Sequence, residues 1–318
     1  MAVYTHVSAE ELATLLRGYD VGTLVSAKGI AEGVENSNYL VDTTRGRFIL
    51  TLYEKRVEVG DLPFFMALLD HLADCALPVP RAIPDRDGRQ IQTLAGRAAC
   101  LIEFLPGVSL GHPTPVQARA AGVAMGRMHA AVADFAATRP NSLGVASWQP
   151  LLARCGRQLD GIDPGLYDAI AGGLDVVVPA WNHGGDRSVI HADLFPDNVL
   201  MLGDEVAGLI DFYFACTDLR LYDLAVMHSA WSFDGAGETH LREVGRALLD
   251  GYTASFGLSA ADRAALPVLA MGACIRFALT RAWDWLNTPA DALVTRKDPL
   301  AYTRRLAFYA QAGQALFA

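Results

Sequence analysis

The rhythm of apolar and polar positions changes near residue 113. Before it, short alternating stretches dominate. Ser8-Ala-Glu-Glu11 has the form of a capping box and predicts a short opening helix. Val21 to Lys28, Tyr39 to Asp42 and Arg47 to Tyr53 read as strands, the last two joined across the turn Thr43-Thr-Arg-Gly46. The stretch between Lys28 and Asn38 is polar and loop-like. Leu62, Phe65, Leu68, Leu69 and Leu72 recur at helical spacing and predict a helix over 61–76. Prolines at 78, 80 and 84 end it, Asp87-Gly88 marks a hairpin turn, and Ala98 to Phe104 reads as a buried strand.

From Thr114-Pro115, a cap followed by a first-turn proline, the pattern is helical through about Phe135. Further helices are predicted over about 148–160, 164–180, 221–233, 238–256, 260–286 and 299–316. Two short apolar runs interrupt them, Ser188 to His191 and Val206 to Ile210. No repeats appear. The layout is α+β: a small β-rich part over 1–105, a short connector near 105–112, and a larger, mainly helical part within 106–318.

Composition narrows the function classes. With 318 residues and 52% hydrophobic positions the chain can bury a large core. Its net charge of -9 argues against a nucleic-acid partner, which needs a basic surface. Five cysteines lie far apart with no CxxC pair, so neither disulfides nor structural zinc are expected. Glu10, Glu11 and Arg17 fall where a signal peptide needs an apolar run. No uncharged apolar stretch reads as long enough to cross a bilayer. A cytoplasmic location without a membrane partner is the expectation, and no signal for an oligomeric state stands out.

The chemistry concentrates in His191-Ala-Asp-Leu-Phe-Pro-Asp-Asn198, a polar loop flanked by apolar runs. Downstream, Leu209-Ile-Asp-Phe212 places a second carboxylate at the end of a short strand. Phosphoryl transfer needs this economy: one carboxylate meets the acceptor hydroxyl, and a carboxamide and another carboxylate hold Mg²⁺ against the phosphates. Asp193 suits the first role, and Asn198 and Asp211 the second. The competing reading is an Asx-rich turn between strands, with His191 as a satisfied core histidine. A metal-dependent phosphohydrolase, with His191, Asp193 and Asp211 as ligands, is a second alternative; such sites usually gather more ligands close by.

With these features the chain resembles the aminoglycoside-phosphotransferase and choline-kinase-like superfamily, relatives of the protein kinases, and within it the bacterial homoserine kinases. The resemblance runs nearly end to end. It rests on Lys28 to Tyr39, Phe48 to Lys55, Asp61 to Phe65, His191 to Asn198, Gly208 to Cys216 and Leu279 to Leu286. It implies a protein-kinase-like two-lobe fold, ATP as donor, Mg²⁺, and L-homoserine as acceptor in threonine biosynthesis. Kinases for hydroxylysine, choline or an aminoglycoside are the nearest alternatives.

The resemblance also distributes roles. Asp193 matches the catalytic aspartate, His191 its structural partner, and Asn198 and Asp211 the metal ligands. The loop carrying Gly29, Gly33, Asn36, Ser37 and Asn38 falls where the nucleotide phosphates are covered. Relatives place a phosphate-binding lysine about where Thr51 stands, so Lys55, or a longer reach from Lys28, is the expected substitute. Glu103 and Leu105 match the backbone that pairs with adenine. Asp223 matches a carboxylate bracing the catalytic loop; a solvent-exposed Asp at a helix N-terminus is the competing reading. Asp211 is followed by Phe212-Tyr213 and no Ala-Pro-Glu segment follows, which disfavours a protein substrate. For an acceptor bearing an ammonium and a carboxylate, Arg281, Asp284 and Tyr222 are the candidates, with Arg276 in reserve. Arg281 and Asp284 could equally pair with each other along a helix.

Overall fold

A computed structural model describes residues 5–30, 36–54, 57–181, 185–288 and 296–317. Gly33 and Lys55 lie outside the described residues. The chain forms two compact units, Met1–Pro106 and Gly107–Ala318.

In the N-terminal unit, helix α1 (Ala9–Leu16) starts at Ser8. The Ser8 hydroxyl accepts from the Glu11 N–H while the Glu11 carboxylate accepts from the Ser8 N–H. Strands β1 (Leu24–Gly29), β2 (Ser37–Thr43) and β3 (Gly46–Leu52) follow, then α2 (Leu62–Asp74), β4 (Gln92–Leu94) and β5 (Arg97–Glu103). They make one antiparallel sheet in the order β1-β2-β3-β5-β4. Alternation along β2 buries Tyr39 and Val41 with Leu12 and Leu16 of α1, and with Leu50, Leu52 and Leu101 of the neighbouring strands. The periodic residues of the predicted second helix, Leu62, Phe65, Leu68, Leu69 and Leu72, are all buried. The first three strands and the turn between β2 and β3 follow the sequence reading; β4, three residues long, was not predicted, because so short a strand has no periodicity to read.

The C-terminal unit contains helices α3 (Pro115–Ala131), α4 (Val145–Cys155) and α5 (Leu166–Ala180). Four short strands come next, β6 (Arg187–Ile190), β7 (Val199–Leu202), β8 (Glu205–Leu209) and β9 (Cys216–Leu219). Helices α6 (Arg220–Trp231), α7 (Arg242–Ser255), α8 (Ala260–Asn287) and α9 (Leu300–Ala312) complete it. Thr114 caps α3 reciprocally with Gln117, as the sequence implies. The helix expected over about 148–160 begins earlier and stops at Cys155, since Gly156 takes a positive φ of 56° and the chain continues as 3₁₀ turns. The strands form two ribbons, β6 with β9 and β7 with β8. Helix α8 bears on the expectation that no uncharged stretch spans a bilayer. By length and composition this 28-residue helix could cross a bilayer, yet it is mostly buried inside the unit. Arg276 and Arg281 make it look interrupted in sequence, but Arg276 lies in the protein interior at 2% exposure.

Candidate active site

The loop His191–Asn198 links β6 to β7, so both ribbons hold its ends. Its first turn bends through Ala192 at φ 64°, a left-handed conformation that costs an L-residue roughly 1–2 kcal/mol. Two buried side chains hold it there. Asp223, on the first turn of α6 and fully buried, accepts from the His191 N–H (2.8 Å) and the Ala192 N–H (2.7 Å). Arg276 of α8 donates from Nη1 to the Ala192 carbonyl. Asp223 is thus a brace of the loop and not an exposed helix-end carboxylate. Burial alone would raise its pKa. The hydrogen bond and charge of His129, whose Nε2 lies 3.1 Å away, outweigh that together with His191 and hold it below the usual carboxylate value.

His191 is completely buried, and burial lowers its pKa, leaving the ring neutral. Nδ1 accepts from the Asp193 N–H (3.2 Å), so the proton sits on Nε2 and is donated to the Ile210 carbonyl (2.9 Å). The imidazole ties the loop to the backbone leading into Asp211. This is a positioning role, as the sequence reading proposed for it.

Asn198 donates from Nδ2 to the Asp193 carbonyl (2.7 Å), with the Asp193 carboxylate 3.4 Å away. Its own carbonyl accepts from the Ile210 N–H (3.0 Å). Asn198 and Asp211 therefore flank one end of the β7–β8 ribbon, where Val199 pairs with Leu209. Asp211 takes a left-handed conformation, φ 64° and ψ 54°, which turns the chain just after the strand. The Asp193 carboxyl, partly open to solvent but closely surrounded, is pushed up to about 8. Burial is the main cause, Asp211 adds to it, and the positive charges of Arg276 and Lys297 oppose it. The structure thus brings Asp193, Asn198 and Asp211 together. Asn198 Oδ1 and the Asp211 carboxylate are hard oxygen donors. Among the described residues no cluster of three or more His, Cys, Asp or Glu could hold a metal by itself. A divalent cation here would need further oxygen ligands from phosphate or water, the situation that suits Mg²⁺.

Beside Asp193 stands an aromatic and cationic wall. The Phe195 ring meets Phe277 at 4.9 Å and Tyr302 at 6.4 Å, and Lys297 Nζ lies 5.9 Å from its centroid. Arg281 stacks 4.5 Å over Tyr302 and donates to the Asp298 carbonyl (3.1 Å). Burial lowers the Arg281 pKa, with the charge of Asp193 among the opposing influences, so its guanidinium belongs to the same field. Asp284 follows on α8 and is half-buried. Two expectations need correction. Tyr222 is 0% exposed and packed against Trp181 (5.4 Å) and Trp148 (6.3 Å), so its ring belongs to the core and presents no surface to a solute. Arg276, held in reserve for the acceptor, clamps the loop instead. Lys297, Phe195 and Tyr302 were missed, because residues about a hundred positions apart carry no local pattern.

In the N-terminal unit, Gly29 ends β1 opposite Tyr39. Asn36 and Ser37 are buried and both meet Glu54: Asn36 Oδ1 accepts from its N–H (3.3 Å), and Ser37 donates to its carboxylate (2.8 Å). Asn38 Oδ1 accepts from the buried Thr51 hydroxyl (2.8 Å), so the position where the resemblance would place a lysine is occupied by a cross-strand hydrogen bond. The Glu103 N–H donates to the Arg81 carbonyl, and the Glu103 carboxylate accepts from the Arg81 N–H. Leu105 is half-buried.

Known proteins share both sequence and fold with this chain. The model of the phosphotransferase enzyme family (APH) matches residues 26–264. A homoserine kinase of Acidiphilium cryptum is 54% identical over 99% of this chain and 98% of its own length. One of Xanthobacter autotrophicus is 52% identical over 97% and 96%. Among solved structures, an amicoumacin kinase in complex with AMP-PNP, Ca²⁺ and Ami covers 97% of this chain and 95% of its own, with a TM-score of 0.69 at 15% identity. A microcompartment-associated aminopropanol kinase gives 0.65 at 21% identity, covering 96% and 97%. At such identities the likeness shows the fold alone, that of the kinase-like phosphotransferases.

Proposed function

This chain belongs to the phosphotransferase enzyme family, and we infer that it transfers the γ-phosphate of ATP to the hydroxyl of L-homoserine, giving ADP and O-phospho-L-homoserine for threonine biosynthesis. The observation that carries the acceptor is the 54% identity to a homoserine kinase over 99% of the chain.

Asp193 is the residue we assign to the acceptor hydroxyl. Its carboxyl orients the hydroxyl toward the γ-phosphorus and, in the ionised form that the charges of Arg276 and Lys297 favour, takes the proton late, because the transition state is loose and little nucleophile activation is required. His191 accepts its N–H and Asn198 donates to its carbonyl, so the carboxylate is positioned before substrate arrives. Asn198 Oδ1 and the Asp211 carboxylate would hold Mg²⁺, which supplies charge neutralisation at the phosphates when bound. Arg281 suits the acceptor carboxylate by its fork geometry, with Lys297 as a second cation. Asp284 is the candidate for the ammonium. Gly29, Gly33, Asn36, Ser37, Asn38 and Lys55 remain the proposed phosphate-covering residues, and Glu103 and Leu105 the proposed adenine contacts. With its N–H engaged by Arg81, Glu103 has its carbonyl to offer a base. We place the enzyme in the cytoplasm, the expectation from its composition.

The acceptor contact is testable by kinetics. Arg281→Lys keeps the charge and loses the fork, and should raise the KM for L-homoserine about tenfold or more while leaving the KM for ATP within about twofold. An equal rise in both would remove Arg281 from the acceptor site.

A further inference from the structure

A cavity of about 770 Å³ opens in the C-terminal unit, lined by residues of α6, α7, α8 and the segment after α9. It is remote from Asp193. Arg263, on its wall, precedes Arg276 by thirteen residues of α8, roughly 20 Å along the axis. Arg242 and Arg246, one turn apart at the start of α7, line it too. Both are exposed, and neither has a hydrogen-bond or ion-pair partner among the described residues. Arg263 is held in place, donating to the Phe317 carbonyl (3.0 Å) and to Thr253 Oγ1 (3.3 Å). Against these three cations the lining offers one carboxylate, Asp250.

Neutral polar groups around the cavity lack partners as well. His228, 1% exposed, lines it with His240. His228 Nδ1 pairs with the Tyr309 hydroxyl (2.7 Å), which leaves its Nε2 facing Gly245. His240 Nε2 and the nearby Ser232 Oγ are both buried without a hydrogen-bond partner. They gather around Gly245 on the first turn of α7, where a Cβ would lie 2.6 Å from Ser232 Oγ and 2.9 Å from His228 Nε2. Leu241 gives that helix no side-chain cap, so its first N–H groups add positive potential. Buried polar atoms without partners are costly, and an acceptor-rich group held by the neighbouring guanidiniums would offset that cost.

We propose that this cavity binds a small metabolite through an oxyanion, a phosphate or carboxylate held by Arg242, Arg246 and Arg263 over the start of α7. The test uses the full chain with its nucleotide site saturated by Mg²⁺ and AMP-PNP. Inorganic phosphate and succinate are titrated separately by calorimetry, with ionic strength held constant by chloride. Saturable binding of one equivalent is expected, and the tighter probe identifies the oxyanion. The double variant Arg242→Ala/Arg246→Ala should weaken it about a hundredfold or more, since each lost charge-assisted contact is worth roughly tenfold or more. Both side chains are exposed, so the variant should keep its thermal midpoint and its turnover with L-homoserine. If neither probe binds saturably at millimolar concentration, or if the variant binds as tightly as the parent, the proposal fails.

Discussion

Ala192 is clamped on both sides: Asp223 takes its N–H and Arg276 takes its carbonyl. The strain at φ 64° is therefore maintained by two buried charges, and removing either should release the loop. Asp223→Ala leaves two buried N–H groups unsatisfied. It should cost at least about 2 kcal/mol by denaturant unfolding and lower kcat more than it changes the KM for ATP. Asp193 itself gives a prediction with a definite sign. Burial pushes its carboxyl up to about 8 in the folded protein, whereas in the unfolded chain it ionises near the ordinary carboxyl value of 3.8. Between those values the folded state holds a proton that the unfolded state has lost, so this group removes stability as pH rises through the window and adds no further change above it. Asp193→Asn should therefore abolish turnover, still bind AMP-PNP, and melt above the parent by a margin that widens from about pH 5 to about pH 8. A margin independent of pH would show that the carboxyl is not perturbed. Asp193, Asn198 and Asp211 were readable in sequence because one short stretch holds all three in the chemistry of phosphoryl transfer. The Arg276 contact spans 84 positions and leaves no local trace.

Helices α3 and α7 touch backbone to backbone at glycines. A Cβ on Gly122 would strike the Leu248 carbonyl, and one on Gly251 the Arg119 carbonyl. In an isolated helix, glycine to alanine is favourable by about 1 kcal/mol. Here steric overlap with a rigid backbone reverses the sign, and Gly251→Ala should destabilise by about 1–3 kcal/mol. The next residue, Tyr252, places its hydroxyl 2.9 Å from His129 Nδ1, and His129 meets Asp223. Prying the helices apart should thus lower kcat as well; full activity in a destabilised variant would separate the packing from the site. Long helices and the β1–β2–β3 meander could be read from periodicity and caps. The strands β7 and β9 could not, since four residues define no period and their partners are set by the tertiary fold.

At the scale of the whole chain, composition argues against a nucleic-acid partner but selects no substrate. The catalytic loop identifies phosphoryl transfer, a chemistry common to many acceptors. The acceptor rests on identity spread along nearly the full length, and the pocket we propose for it joins Phe195, Phe277, Arg281 and Tyr302 only after folding. Ligand linkage offers a global check: AMP-PNP with Mg²⁺ at a hundredfold over its Kd should stabilise the protein by about 2.7 kcal/mol, and EDTA should remove much of that gain. The most direct test is turnover on a panel of acceptors. Purified protein with Mg²⁺ and ATP is offered L-homoserine, hydroxylysine, choline, 1-amino-2-propanol and an aminoglycoside, and ADP release is followed by a coupled assay. ADP formed fastest with L-homoserine, in step with O-phospho-L-homoserine, is the predicted result. No turnover with L-homoserine alongside turnover with another acceptor would contradict it.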